Sequence, residues 1–369
     1  MGTDIQWNKL VGQHRIREVL GSAMKNDLVG HAYLFSGEQG CGKFAAAIEF
    51  AMALICQNRE LRPCYECESC KRVTNYSHPD LHIIMPVEKG DSSSDSEEQW
   101  QHFAKLVKNR IENPYTIQQH SSVPSIPVEW IREMNHAINR GAVEGGYNIA
   151  IMDGVELMRK ESANALLKTL EEPPAKTVMI ALADKLNAVL PTIVSRCQSL
   201  RFAYQTPELL RTQLAQRLSK DVADPSLDCL VHTGSYGKSL ALLEKSPDEI
   251  IEKALLFWQS CRRLDMDAII EQIDTFPPPG KLYFYESFFN YLLQLIHFAF
   301  LNRYSDTGNY FKKESSYRIE LPDDLSPERA EKMAGVCQQS LEALRVRGNT
   351  VLILVECAFS LMEIFDGKK

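Results

Sequence analysis

The sequence has no excess of basic residues: 41 Lys and Arg stand against 48 Asp and Glu, for a formal net charge of −7. That balance argues against a free-standing nucleic-acid binder held by bulk electrostatics, which shows a basic excess or a dense basic patch. Any role on DNA is local or shared with partners. Also missing is a long apolar run free of polar residues. The most apolar stretch, 282–301, carries Glu286, Asn290, Gln294 and His297 at helical spacing, the pattern of a buried amphipathic helix rather than a membrane span. The N-terminal MGTDIQWNKLVGQ has no basic region followed by an apolar stretch. No signal or transit peptide is therefore expected, and the expected location is cytoplasmic with no membrane association. No internal repeat is found.

What is present begins with length. A chain of 369 residues exceeds one ordinary core, so two or three domains are expected. Ten cysteines in a cytosolic chain do not suggest a disulfide framework, and those between Cys56 and Cys70 cluster in a way that points to metal.

The apolar run Ala32–Phe35 ends in Ser36-Gly37 and reads as a buried strand, followed by an Ala-rich helix over 43–54. Further strands are expected over 81–85, 147–152, 177–183 and 198–202, with helices over 126–138 and 162–172, the latter stopped by Pro173-Pro174. Strands alternating with helices give a parallel α/β sheet. Residues 88–123 change character: DSSSDSEEQ is acidic and Ser-rich, and the remainder is polar with one helical patch, so an inserted, partly disordered surface segment is expected. Beyond Tyr204 the pattern is helical throughout. The expected division is a P-loop-like core over 1–204, containing a cysteine module at 56–70 and the insert at 88–123, then a small helical lid over 205–247 and an all-helical C-terminal domain over 248–369.

Gly37-Glu38-Gln39-Gly40-Cys41-Gly42-Lys43 fits G-x-x-x-x-G-K. In that pattern the glycines turn backbone N–H groups toward a phosphate and the lysine adds charge. If ATP or ADP binds, Gly37, Gly40, Gly42, Lys43 and Asp153 are the candidate contacts. Two departures weaken the chemistry. The residue after the lysine should carry a hydroxyl for Mg²⁺, and Phe44 stands there. Asp153 ends a hydrophobic strand as a metal-binding aspartate does, but the next residue, where a water-orienting glutamate is expected, is Gly154; Glu156 is a poor substitute. A loop that keeps its fold and hydrolyses nucleotide slowly or not at all is expected.

Cys56, Cys64, Cys67 and Cys70 follow C-x7-C-x2-C-x2-C. Four soft ligands at short spacing suit tetrahedral Zn²⁺ stabilising an excursion without a core of its own. Unpaired thiols, an iron–sulfur cluster and a redox pair are the alternatives.

A zinc module spliced after the first helix of a P-loop domain resembles the AAA+ clamp-loader subunits of bacterial DNA polymerase III, delta-prime and gamma/tau. The resemblance extends to Val11-Gly12-Gln13, His31-Ala32-Tyr33-Leu34-Phe35-Ser36-Gly37 and Ile126-Pro127-Val128-Glu129-Trp130-Ile131-Arg132. It is most specific over 164–174, NALLKTLEEPP, and is completed by Ser195-Arg196-Cys197. It covers about residues 7–204 well and the C-terminal helices only in length and helical character; 88–123 has no counterpart. The resemblance implies that Arg196 projects into a neighbouring subunit's ATP site as an arginine finger. It also implies that Lys238 falls in the lid motif, where the family usually has arginine, and that the C-terminal helices form a collar. The implied partners are gamma/tau and delta subunits in a hetero-oligomeric ring, the sliding clamp, and primed DNA through the complex. Departures affecting hydrolysis in cis, with the trans motif intact, select the delta-prime type: a stator within the polymerase III holoenzyme, with weak or absent ATPase of its own. An end at Lys369 without the long extension of a tau subunit agrees. The alternatives are a hydrolysing gamma/tau-type motor and, in another class, a small-molecule P-loop kinase with structural zinc.

Overall fold

The computed structural model of the chain describes residues 5–87, 97–117, 124–223, 227–231, 233–244, 247–277, 282–304, 325–345 and 349–367. Five strands, β1 (Ala32–Ser36), β2 (Leu81–Ile84), β3 (Asn148–Asp153), β4 (Thr177–Ala183) and β5 (Gln198–Arg201), form one sheet in the order β2-β3-β4-β1-β5. Every pairing is parallel. The central strands are near-continuous apolar runs because helices cover both faces, leaving no polar side to alternate; every residue of β1 and β4 is buried. This is the parallel α/β P-loop core, with flanking helices, that the sequence implies.

The flanking helices are α1 (His14–Lys25), α2 (Lys43–Ile55), α3 (Glu68–Thr74), α4 (Glu97–Glu112), α5 (Val128–Asn139), α6 (Lys160–Glu171) and α7 (Pro191–Val194). Nearly all of α2 is buried, and its alanines let it lie close under the sheet. Its one carboxylate, Glu49, is fully buried. That charge is tolerated because its oxygens accept the backbone N–H groups of Asn8, Lys9 and Leu10 at 2.7–2.9 Å, together with the Tyr65 hydroxyl.

Helix α4 departs from expectation. It falls in the segment read as a surface insert, yet Phe103, Val107 and Ile111, one helical turn apart, are buried, as is Tyr115 just beyond. Phe103 packs against Trp130 of α5 with ring centroids 4.4 Å apart. The acidic stretch 88–96 lies outside the described residues.

The remaining helices are α8 (Pro207–Leu218), α9 (Asp228–Val231), α10 (Tyr236–Glu244), α11 (Pro247–Arg263), α12 (Met266–Asp274), α13 (Leu282–Tyr304), α14 (Pro327–Arg345) and α15 (Thr350–Phe365). Contacts divide the chain into two compact units, one of residues 1–213 with 233–240 and the other of 214–232 with 241–369. The second unit is helical among its described residues. Its core gathers Phe257, Trp258, Phe288, Phe289, Met333, Leu354 and Leu361 from α11, α13, α14 and α15. Among the described residues no helix is long and apolar enough to cross a membrane.

Candidate functional site

In a parallel sheet, ligand-binding groups collect beyond the carboxyl ends of the strands. The register here sets Ser36 beside Ala183 and Asp153 beside Leu182. The loop after β1, the last residue of β3 and Asp184 after β4 therefore meet at one edge. They border a cavity of about 410 Å³ lined in part by Lys43, Phe44, Arg110, Asp153, Glu156 and Asp184.

The groups in this corner are already paired with one another. The Lys43 ammonium, only 6% exposed, donates to the Gly37 carbonyl at 2.6 Å, the Glu38 carbonyl at 2.9 Å and Asp184 Oδ1 at 2.7 Å. Three acceptors use all three of its hydrogens. Phe44 is buried where a metal-binding hydroxyl would stand, and the Arg110 guanidinium lies over its ring. Asp153 accepts from that same guanidinium. Gly154 has φ 78°, and a Cβ there would meet Pro86 Cγ at 2.8 Å, so the backbone itself disfavours a glutamate at this position. Glu156 uses one oxygen to accept the Asp184 N–H at 2.7 Å, and burial pushes its carboxyl above the usual range.

The segment 233–239 closes over the loop within the first unit. Ser235 Oγ donates to the Gln39 carbonyl at 2.8 Å, and the Gly237 N–H donates to the Gly40 carbonyl at 3.0 Å. Gly40, at φ 76°, leaves only 2.5 Å between a hypothetical Cβ and Ser235 Oγ, so no other residue fits this approach. Lys238 pairs with Glu38 at 2.9 Å. Burial alone would raise the Glu38 carboxyl; the Lys238 ammonium and the Tyr204 hydroxyl outweigh it and hold the group below its ordinary value. From the other side Tyr115 accepts the Val11 N–H at 2.7 Å and packs edge-on against Tyr236.

Magnesium-nucleotide does not fit these residues as they stand. Its metal ligand is an aromatic ring, its aspartate is engaged by a guanidinium, and its lysine is saturated. Sequence reasoning brought Gly37, Gly40, Gly42, Lys43, Asp153 and Lys238 to this corner and missed Arg110 and Tyr115. The signal for Arg110 was indirect: a strand-end aspartate that has lost its metal partner needs a cation from elsewhere in the chain.

The cysteine cluster is built at two helix ends. Cys56 follows α2, and Cys67 caps α3, its sulfur accepting the Cys70 N–H at 3.5 Å. The Cys64 and Cys67 N–H groups point in the same way at Cys56 Sγ and Cys64 Sγ. Four sulfurs each about 2.3 Å from a tetrahedral zinc stand ~3.8 Å apart. Here Cys56 Sγ lies 3.6 Å from Cys64 Sγ and 4.0 Å from Cys67 Sγ, and all four ligand atoms fall within 4.8 Å of one another. The group can hold a metal ion. Burial pushes the Cys56 and Cys70 thiols up; for Cys67 burial acts the same way, but the Cys70 N–H and neighbouring donors outweigh it and bring the thiol down to about 7.

Arg196 sits just past α7. Its Nε donates to Glu171 Oε1 at 2.9 Å, Nη2 pairs with the same oxygen, and Nη1 donates to the Thr192 carbonyl at 2.9 Å. The side chain is 33% exposed, so solvent still reaches it.

A family model described as DNA polymerase III, delta subunit, matches residues 12–206. The chain belongs to this family. Among curated relatives, the delta' subunit of Bacillus subtilis is 28% identical over 214 residues, 58% of this chain and 54% of that one. The tau subunit of the same organism is 28% identical over 247 residues, 65% of this chain and 38% of its own length. The delta' subunit of Haemophilus influenzae is 26% identical over 257 residues, 66% of this chain and 67% of that protein. The chain thus spans about half or less of the length of the first two. A solved structure of a gamma subunit-related protein from Thermotoga maritima is similar over 91% of this chain and 95% of its own, at 14% identity and a TM-score of 0.43.

Proposed function

We propose that this chain is a delta-prime-type clamp-loader subunit that helps load the sliding clamp onto primed DNA in the cytoplasm, acting as a stator in a ring with gamma/tau and delta subunits. The observation that carries the reading is an asymmetry within the first unit. Lys43 and Asp153, which would serve nucleotide in cis, are largely buried and paired within the chain, whereas Arg196, though held by Glu171 of α6, keeps a third of its side chain exposed. An arginine so presented can serve a neighbour's γ-phosphate. Glu171 belongs to the NALLKTLEEPP segment, and through it that segment aims the guanidinium.

The Cys56, Cys64, Cys67 and Cys70 sulfurs would hold Zn²⁺. A bound zinc supplies a structural cross-link between the ends of α2 and α3 and no reaction step. The division into a core over 1–204, a lid over 205–247 and a collar over 248–369 is part of this proposal.

A gamma/tau-type motor would need Lys43 and Asp153 freed of their present partners. The experiment is Arg196→Ala in a reconstituted loader, with ATPase read in the presence of clamp and primed DNA. The expected result is a loss of ~10³-fold or more at the neighbouring site, with the isolated wild-type chain showing no turnover. Unchanged stimulated ATPase removes the arginine-finger role, and fast intrinsic turnover removes the stator.

A further inference from the structure

Arg110 lies near the end of α4 in a segment that carries no motif, yet its guanidinium stands where the altered features of the phosphate loop converge. Nε and Nη2 both donate to Asp153 Oδ2, at 3.3 and 3.1 Å. Nη1 donates to the Pro114 carbonyl at 3.1 Å and to the Thr116 carbonyl. Four of the five guanidinium N–H groups are thereby used inside the chain. The central carbon lies 4.7 Å from the centroid of the Phe44 ring, within the range of a cation–π contact. Arg110 and Asp153 side chains are each 14% exposed.

In an active phosphate loop the hydroxyl after the lysine and the strand-end aspartate hold one divalent cation between them. Here both elements of that arrangement are altered, and the alterations fit each other. A phenyl ring cannot ligate magnesium, but it offers a flat, electron-rich face to a planar, weakly hydrated cation. The aspartate keeps a positive partner, now a covalently tethered one. The carbonyls of Pro114 and Thr116 fix the guanidinium plane from the far side, so the pair does not depend on a flexible surface arginine finding its target.

We propose that the Arg110 guanidinium takes the place of a divalent cation between Asp153 and Phe44, so that the loop is folded and charge-balanced with neither metal nor nucleotide bound. This rests on the geometry of the loop and not on the clamp-loading role. It gives α4 and the residues after it a function: they carry the substitute cation, and Tyr115, by accepting the Val11 N–H, anchors the same segment to the chain ahead of α1.

The test uses the full chain, saturated with zinc, and reads the thermal unfolding midpoint with Mg²⁺ alone, ATP alone and both together at millimolar concentration. The wild type is expected to show no saturable shift with any of them. Arg110→Met is expected to lower the midpoint without ligand and to recover part of the loss on adding Mg²⁺, because Asp153 is left without a cation. Arg110→Lys, which keeps the charge and loses the fork, is expected to fall between the two. Combining Arg110→Met with Asp153→Asn should destabilise by less than the sum of the single changes and abolish the Mg²⁺ response. A saturable Mg²⁺-ATP shift in the wild type, an unchanged midpoint in Arg110→Met, or strict additivity in the double variant overturns the assignment. Should Arg110→Met not fold, the wild-type titration and the Arg110→Lys midpoint decide it.

Discussion

Two small sites in the first unit solve the problem of concentrated charge in opposite ways. At the end of β3 and β4 three ion pairs are closed within the same chain: Lys43 with Asp184, Asp153 with Arg110, Lys238 with Glu38. At the end of α2 four thiols crowd together, with backbone N–H groups aimed at three of the sulfurs and no cationic side chain among the hydrogen-bond partners described for them. The first site is complete from within; the second is arranged for a cation from outside. Motif content alone suggests the reverse, because the phosphate loop carries the better-known ligand-binding pattern. Residue chemistry decides, since a motif specifies a backbone path and only its side chains specify an occupant.

The largest effect should come from the site that needs its ion. Chelating the metal, or replacing Cys67 by Ser, is expected to remove zinc measured by elemental analysis and to collapse the unfolding midpoint, since structural zinc contributes about 10 kcal/mol or more in small modules. Full folding without zinc would erase the contrast. Next, Glu49→Ala should cost about 3–5 kcal/mol by denaturant titration, because three backbone N–H groups, that of Leu10 buried, and a phenol lose one charged acceptor. In the self-complete site, Asp153→Ala should cost about 2–4 kcal/mol by leaving Arg110 without its counter-charge, reduced somewhat by the partial exposure of the pair. Tyr65→Phe, which deletes only the hydroxyl on Glu49, should cost about 1 kcal/mol.

The smallest effect concerns pH. Burial raises the Glu156 carboxyl above its unfolded value, so the folded state binds its proton more tightly than the unfolded state. The ionised form therefore costs stability at neutral pH, and the cost disappears as pH falls through the folded and then the unfolded value. Glu156→Gln is expected to stabilise slightly at neutral pH and to be indistinguishable from wild type in acid. A stabilisation that persists in acid would show that the carboxylate is not the source.

Much of the core was legible in the sequence because buried parallel strands leave little choice. The run Thr177–Ala183 is all apolar after its threonine, and it forms β4 over those residues. The cysteine spacing announced a cluster, and the phosphate loop and Asp153 announced a shared corner at the strand ends. Helix α4 was not legible as part of that corner. Its apolar residues Phe103, Val107 and Ile111 are diluted by charge on the other faces, and its acidic approach suggests a solvated segment. Arg110 looks like any helix-terminal arginine until β3 brings Asp153 beside it. Pairings across 43 residues arise from topology, and local pattern carries no trace of them. Arg196 could be read as a motif, but its hold by Glu171 required α6 and α7 to be placed together.

The buried carboxylate of Glu49 ties three parts of the chain to one side chain: the approach at Asn8–Leu10, the middle of α2, and the knuckle residue Tyr65 between two of the cysteines. Its acceptor sites are shared, so a shift of Tyr65 removes one of the bonds that hold the carboxylate where Asn8, Lys9 and Leu10 meet it. The loading state of the thiol cluster should therefore be audible at a distance. Amide hydrogen exchange at Asn8, Lys9 and Leu10, well outside the cysteine segment, becomes a gauge of whether the ion at the far end of α2 is in place.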